Sequence, residues 1–143
     1  MLKQFVSSII SNDLNYDLAH ESSRRVNDWL IHHMDEAPFH NLCCDASVTT
    51  EKIDEYLIEN GVDSALAIDP YHAMTPLHIL SMKPDAPIDA IIALLKANIN
   101  AANVRDCEGK TPLYYVLQYN PWAFVKIYSY LCEHNGIDNE ILR

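Results

Sequence analysis

His32, His33, His40, Cys43 and Cys44 crowd five metal-avid side chains into thirteen residues. A zinc site needs about four convergent donors, usually in paired short spacings. His40 and Cys43 lie one helical turn apart and can share a face. Both also fall in register with a repeated pattern in which a helix and its core account for them. Cys44 near His40 raises a second chemistry, a thiol activated by an imidazole. That activation needs electropositive surroundings and an orienting acid, whereas this stretch is acidic and no Gly-rich strand-to-helix turn accompanies it. Adjacent carboxylates such as Asp54 and Glu55 diverge on a helix and read as solvated. Gly109-Lys110-Thr111 lacks the upstream glycine of a phosphate loop. The expectation is a protein with no catalytic residues, no metal and no cofactor, with a zinc or thiol site at His40, Cys43 and Cys44 as the least favoured alternative.

The elements that position these residues follow from composition and period. Apolar residues make up 49% of the 143, near the usual globular share, so a packed core is expected rather than disorder. The net charge of −10 and pI near 4.9 argue against nucleic acid and anionic membranes, because no basic stripe is present to meet phosphates. The charge is uneven. Residues 37–74 carry seven acids against Lys52 alone, a net of −6, while residues 75–110 balance four acids with four bases. A protein partner touching the first of these stretches is therefore expected to be basic, unless the charge serves solubility alone. Cys43, Cys44, Cys107 and Cys132 show no Cys-x-x-Cys spacing. The adjacent pair diverges too far for a disulfide, and thiol usage of this kind suits a reducing compartment. The apolar run near Met1 is too short for a secretory or spanning segment. A soluble, cytoplasmic protein is expected.

Three stretches nearly repeat: Ala37-Pro38-Phe39-His40-Asn41-Leu42-Cys43, Met74-Thr75-Pro76-Leu77-His78-Ile79-Leu80 and Lys110-Thr111-Pro112-Leu113-Tyr114-Tyr115. The steps from Ala37 to Thr75 and from Thr75 to Thr111 are 38 and 36 residues. Within the second copy, Thr75 is placed to cap a helix, Pro76 to start it and Leu77 to face the core. His78 lies three residues past the cap, within reach of the Thr75 hydroxyl. Thr111-Pro112-Leu113-Tyr114 repeats that logic, and Ala37 loses the cap. Longer amphipathic segments follow each copy, with Leu57-Ile58, Leu94-Leu95 and Leu131-Cys132 recurring every 37 residues. Thr49 or Thr50 can cap the first of these, and Pro84, Pro87 and Pro121 end the preceding helices. Helices are expected over 38–44, 50–60, 76–82, 88–98, 112–119 and 122–134. The tails ending in Asp69 and Asp106 open tight turns, Pro70-Tyr71-His72-Ala73 and Cys107-Glu108-Gly109, just before each Met-Thr-Pro or Lys-Thr-Pro.

This pattern resembles the ankyrin-repeat family from about residue 37 to the C-terminus, in a lengthened variety, since the family period is about 33 residues. The resemblance implies an all-α fold, a helical solenoid of about three stacked helix–turn–helix repeats spanning 37–74, 75–110 and 111–143. The last would act as a cap. Residues 1–36 are expected to form an N-terminal capping helix or helices, with Val26, Trp29, Leu30 and His33 on one face, or to be the remnant of a larger region. The family binds proteins on a concave face made of hairpin tips and the outer sides of first helices. Carried over by position, the tip residues are Asp69, Tyr71, His72, Asp106 and Glu108, and the variable position after the histidine is Asn41, Ile79 or Tyr115. The implied function is a non-catalytic interaction module for an unidentified protein partner, acting as a monomer or within a longer chain. A structural spacer at the tail of a multidomain chain is the alternative.

Overall fold

Proline opens four of the described helices, at Pro38, Pro76, Pro112 and Pro121. The computed structural model describes residues 24–33 and 35–134. Residues 24–32 form helix α1. Then follow α2 (Pro38–Cys44), α3 (Thr50–Asn60), α4 (Pro76–Ser81), α5 (Ile88–Ala97), α6 (Pro112–Tyr119) and α7 (Pro121–Glu133). Among the described residues there is no strand, and no helix is long and apolar enough to cross a membrane. The part of the expected N-terminal cap before residue 24 lies outside the described residues, as does the chain beyond 134.

Helices α2, α4 and α6 pack side by side in chain order, and so do α3, α5 and α7. Each short helix also touches the long helix that follows it. The molecule is thus two layers of helices with one apolar seam between them. Ile53 and Leu57, then Ile91, Leu94 and Leu95, then Phe124, Ile127 and Leu131 fill that seam from the long helices. Leu77, Leu80, Leu113 and Leu117 meet them from the short ones. Each such side chain contributes on the order of 2 kcal/mol by leaving water.

The register of the long helices differs from the 37-residue recurrence read in the sequence. Their N-caps are Thr49, Pro87 and Asn120, and four residues past each cap stand the buried Ile53, Ile91 and Phe124. Leu57 therefore matches Leu95, while Ile58 points to solvent, 83% exposed. The cause is loop length. Residues 82–87 join α4 to α5, whereas Asn120 alone separates α6 from α7. Asn120 is buried and its Nδ2 donates to Lys83 O at 2.6 Å, so the short connection is bonded to the long one. Pro87 caps α5 rather than starting it, and Pro121 is the first residue of α7.

Capping separates the three copies. Thr75 Oγ1 accepts from His78 N–H, and the His78 ring reaches back to Thr75 N–H, a complete capping box. Thr49 caps α3 by accepting from Lys52 N–H at 3.2 Å. Thr111, expected to repeat Thr75, makes no side-chain cap bond. Tyr114 replaces the histidine there, and its phenol extends away from the cap to accept from Gln118 Nε2 at 3.0 Å. Two five-residue 3-10 helices, Val62–Leu66 and Ile99–Asn103, precede the hairpins and were not expected from the sequence. They bury small residues, Ala65 in the first and Ala101 and Ala102 in the second.

Candidate functional site

Asp69 and Asp106 build the hairpin tips by collecting donors from the chain that turns around them. Asp69 accepts from the backbone N–H groups of Tyr71 (2.9 Å), His72 and Met74 (3.0 Å). Asp106 accepts from Glu108 and Lys110 N–H, both at 2.9 Å, and from the Tyr115 hydroxyl. Both carboxylates are buried, so these bonds replace their water. Cys107 N–H donates to His72 O at 2.9 Å and ties one tip to the next. Gly109 (φ 78°) turns the second tip in the left-handed region, and Ala73 (φ 56°) holds the matching place in the first.

Behind the tips, two buried histidines lock one unit to the next. His78 is fully enclosed. Its Nδ1 accepts from Thr75 N–H at 3.0 Å, with the Thr75 hydroxyl at 2.9 Å. That nitrogen therefore holds the lone pair, and Nε2–H donates to Lys110 O at 3.0 Å. His40 does the same one unit earlier, its Nε2–H donating to Met74 O at 2.6 Å. Burial lowers the pKa of both rings, and the carbonyl bonds and nearby Asp69 and Asp106 offset only part of that. Both are neutral at pH 7.

The predicted contact residues divide sharply. Tyr71 is 70% exposed, Glu108 is exposed and His72 half-buried, so they are available at the tips. Asp69 and Asp106 are spent inside the hairpins. Ile79 (3% exposed) and Tyr115 (4%) are corrected from contact residues to interior ones. Ile79 packs in the short-helix layer, in a groove it shares with Asn27 of α1. Tyr115 holds Asp106 through its hydroxyl, which burial and that carboxylate keep protonated. Asn41 is half-buried and donates to Ala37 O at 3.0 Å, away from the tips.

The residue that sequence reasoning did not bring to this face is Trp29. Val26 and Leu30 of α1 are buried as expected, but Trp29 and His33 are only half-buried. Trp29 stacks on His33 with ring centroids 4.4 Å apart and lies nearly parallel to Tyr71 at 6.1 Å. Its edge meets His72 at 5.7 Å. Cys44 Sγ also donates to Asn27 Oδ1 at 3.2 Å. Helix α1 thus lies along the tips and the short helices. Trp29, His33, Tyr71, His72, Asp28 and Glu108 line an open cleft of about 560 Å³ between α1 and the tips. Arg25 is the cation among its lining residues, set against Asp28, Asp106 and Glu108.

Metal and thiol chemistry find no such convergence. His40 and Cys43 are buried on separate duties, His32 Nδ1 bonds Asp28 O at 2.8 Å, and His33 Nδ1 bonds Trp29 O at 2.7 Å. No group of three or more His, Cys, Asp or Glu side chains is gathered for a metal among the described residues. Burial raises the pKa of Cys43 strongly and of Cys44 as well. Desolvation and then Asp106 and Glu108 raise that of Cys107. These three thiols stay protonated and are poor nucleophiles. No family model, curated protein or solved structure matches the chain.

Proposed function

We propose that the chain is a non-catalytic protein-interaction module, an ankyrin-type stack of three helical repeats that meets its partner along the hairpin tips. The observation that carries this reading is Tyr71, a tyrosine left 70% exposed at the mouth of a cleft whose other wall is Trp29. Tyrosine and tryptophan supply much of the energy at protein interfaces, and aromatic surface left in water is unfavourable to the free protein. The side-by-side order of the short helices, the successive aspartate-pinned tips and the neutral histidine between units all agree with a repeat stack. Neither a gathered metal-ligand group nor an activated thiol competes for the cleft among the described residues.

The test is site-specific photo-crosslinking in extract of the native cell, with a photoreactive residue at position 71. Position 58 on α3 serves as control, since Ile58 is even more exposed than Tyr71 but lies on a long helix rather than at the tips. A discrete protein adduct from position 71, absent from position 58 and weakened by Trp29→Ala, supports the reading. Equal adduct patterns from both positions, or none from 71, contradict it.

A further inference from the structure

The cleft between α1 and the hairpin tips has a chemistry specific enough to name what enters it. We infer that it takes an arginine side chain from a basic segment of the partner, its guanidinium stacked on the exposed Tyr71 ring and met by the carboxylates of Asp28 and Glu108. This rests on the interaction-module reading and specifies the partner's chemistry.

Three observations converge on a planar cation. First, the walls are aromatic but not sealed. His33 covers one face of Trp29 and Tyr71 flanks it at 6.1 Å, yet most of the Tyr71 ring remains open. A guanidinium binds such a face through both ring attraction and stacking. Second, the lining carries Asp28, Asp106 and Glu108 against Arg25. Asp106 is committed to its own hairpin and Tyr115, whereas Asp28 and Glu108 are exposed. Glu108 and Asp28, whose Oδ1 lies 3.9 Å from the exposed His32 Nδ1, present carboxylates that suit the two-pronged geometry of arginine. Third, the charge excludes the other occupants. An anionic ligand would meet a protein of net charge −10. An apolar one would strip water from two carboxylates without replacing their bonds.

The experiment uses the full chain with Trp122→Phe, which leaves Trp29 as the sole tryptophan of the two present. Trp122 is exposed, so its replacement spares the core. The probe is an octapeptide of alternating arginine and glycine, titrated at physiological salt while Trp29 emission is followed. The expected result is saturable quenching. Tyr71→Ala should weaken binding by about two- to fivefold, the size of an exposed cation–ring contact. Asp28→Asn with Glu108→Gln should weaken it by about fivefold or more. The control pair Asp54→Asn with Glu55→Gln removes the same charge from exposed positions on α3, and should leave affinity within about twofold. Equal loss in the control pair would show diffuse attraction to an acidic surface and overturn the inference. Unchanged emission with the arginine peptide would overturn it too. In either case a surviving cross-link at position 71 keeps the module reading, and loss of that cross-link removes both.

Discussion

His40 and His78 both reach forward to the hairpin of the following unit, ending on Met74 O and Lys110 O, yet they stand on unequal footings. His78 is held at its other nitrogen by Thr75 N–H and the Thr75 hydroxyl, inside a complete capping box. His40 follows Ala37, which has no hydroxyl to offer and makes no cap bond. The central junction therefore fixes its ring before it crosses to the next unit, whereas the first relies on burial and one carbonyl. The tips differ in a complementary way. Asp69 takes three backbone N–H groups with the His72 ring Nδ1 at 3.2 Å, and Asp106 takes two backbone N–H groups plus the Tyr115 hydroxyl. One more residue in the first turn supplies what a tyrosine supplies in the second. The first tip is completed within its own turn and the second by a side chain of the following helix, so equivalent substitutions should have unequal costs.

The largest consequence lies at the histidines. His78→Ala strands Thr75 N–H in the interior and takes one of two donors from Lys110 O, which Asp106 N–H also reaches, and should destabilise by about 2–3 kcal/mol. His40→Ala should cost about 1–2 kcal/mol, because it abandons one carbonyl that Asp69 N–H also reaches. Urea denaturation of the two variants measures the gap, and equal losses would break the comparison. At the tips, Tyr115→Phe removes a charge-assisted bond from a buried carboxylate and should cost about 2 kcal/mol. Tyr71→Ala at the other tip should leave stability within about 0.5 kcal/mol, since it is exposed and Asp69 is held by backbone.

Smaller effects run the other way. Ser81 Oγ is buried with no hydrogen-bond partner, at the place where the first copy has Cys43 and the third Leu117. Ser81→Ala should stabilise by about 1 kcal/mol, read as a higher denaturation midpoint at unchanged slope, by removing an unmatched hydroxyl. Ala73→Gly copies Gly109 into the first tip and relieves a left-handed alanine. Its gain, about 0.5 kcal/mol after the entropy that glycine adds to the unfolded chain and read as a higher midpoint, is the smallest of the set.

These contrasts also mark what the sequence could show. Thr75-Pro76-Leu77-His78 predicts a capped helix and a histidine on its cap because both bonds are local. Helix limits at Pro38, Thr50 and Pro112 follow from the same short-range rules. The registration of the long helices did not, because it depends on how six residues in one loop and Asn120 in another bridge the same gap. Thr111 has the cap residue without the cap, since Tyr114 cannot fold back as His78 does. Trp29 read as a core-facing residue of α1, and only the placement of that helix along the tips brings it to Tyr71. Ile79 and Tyr115 were assigned to the surface by their position after the histidine. The packing of the short-helix layer and the reach of Tyr115 to Asp106 bury them instead. Local bonding was legible; contacts across tens of residues were not.

Neutral histidines donating from Nε2 cross both junctions and hold the tips in place. Burial lowers both folded pKa values below the unfolded value near 6.5. The folded chain therefore binds fewer protons. The stability these rings contribute is present above about pH 6.5 and is lost as pH falls from there through the lowered folded values. Long-range proton–nitrogen NMR of the histidine rings, followed from pH 7.5 down to the onset of unfolding, reads tautomer and protonation together. The predicted result is an Nε2–H tautomer for His78 and His40 that persists well below pH 6.5. An Nδ1–H tautomer at His78, or its protonation at or above pH 6.5 in the folded chain, would contradict the junction that holds the tips in place.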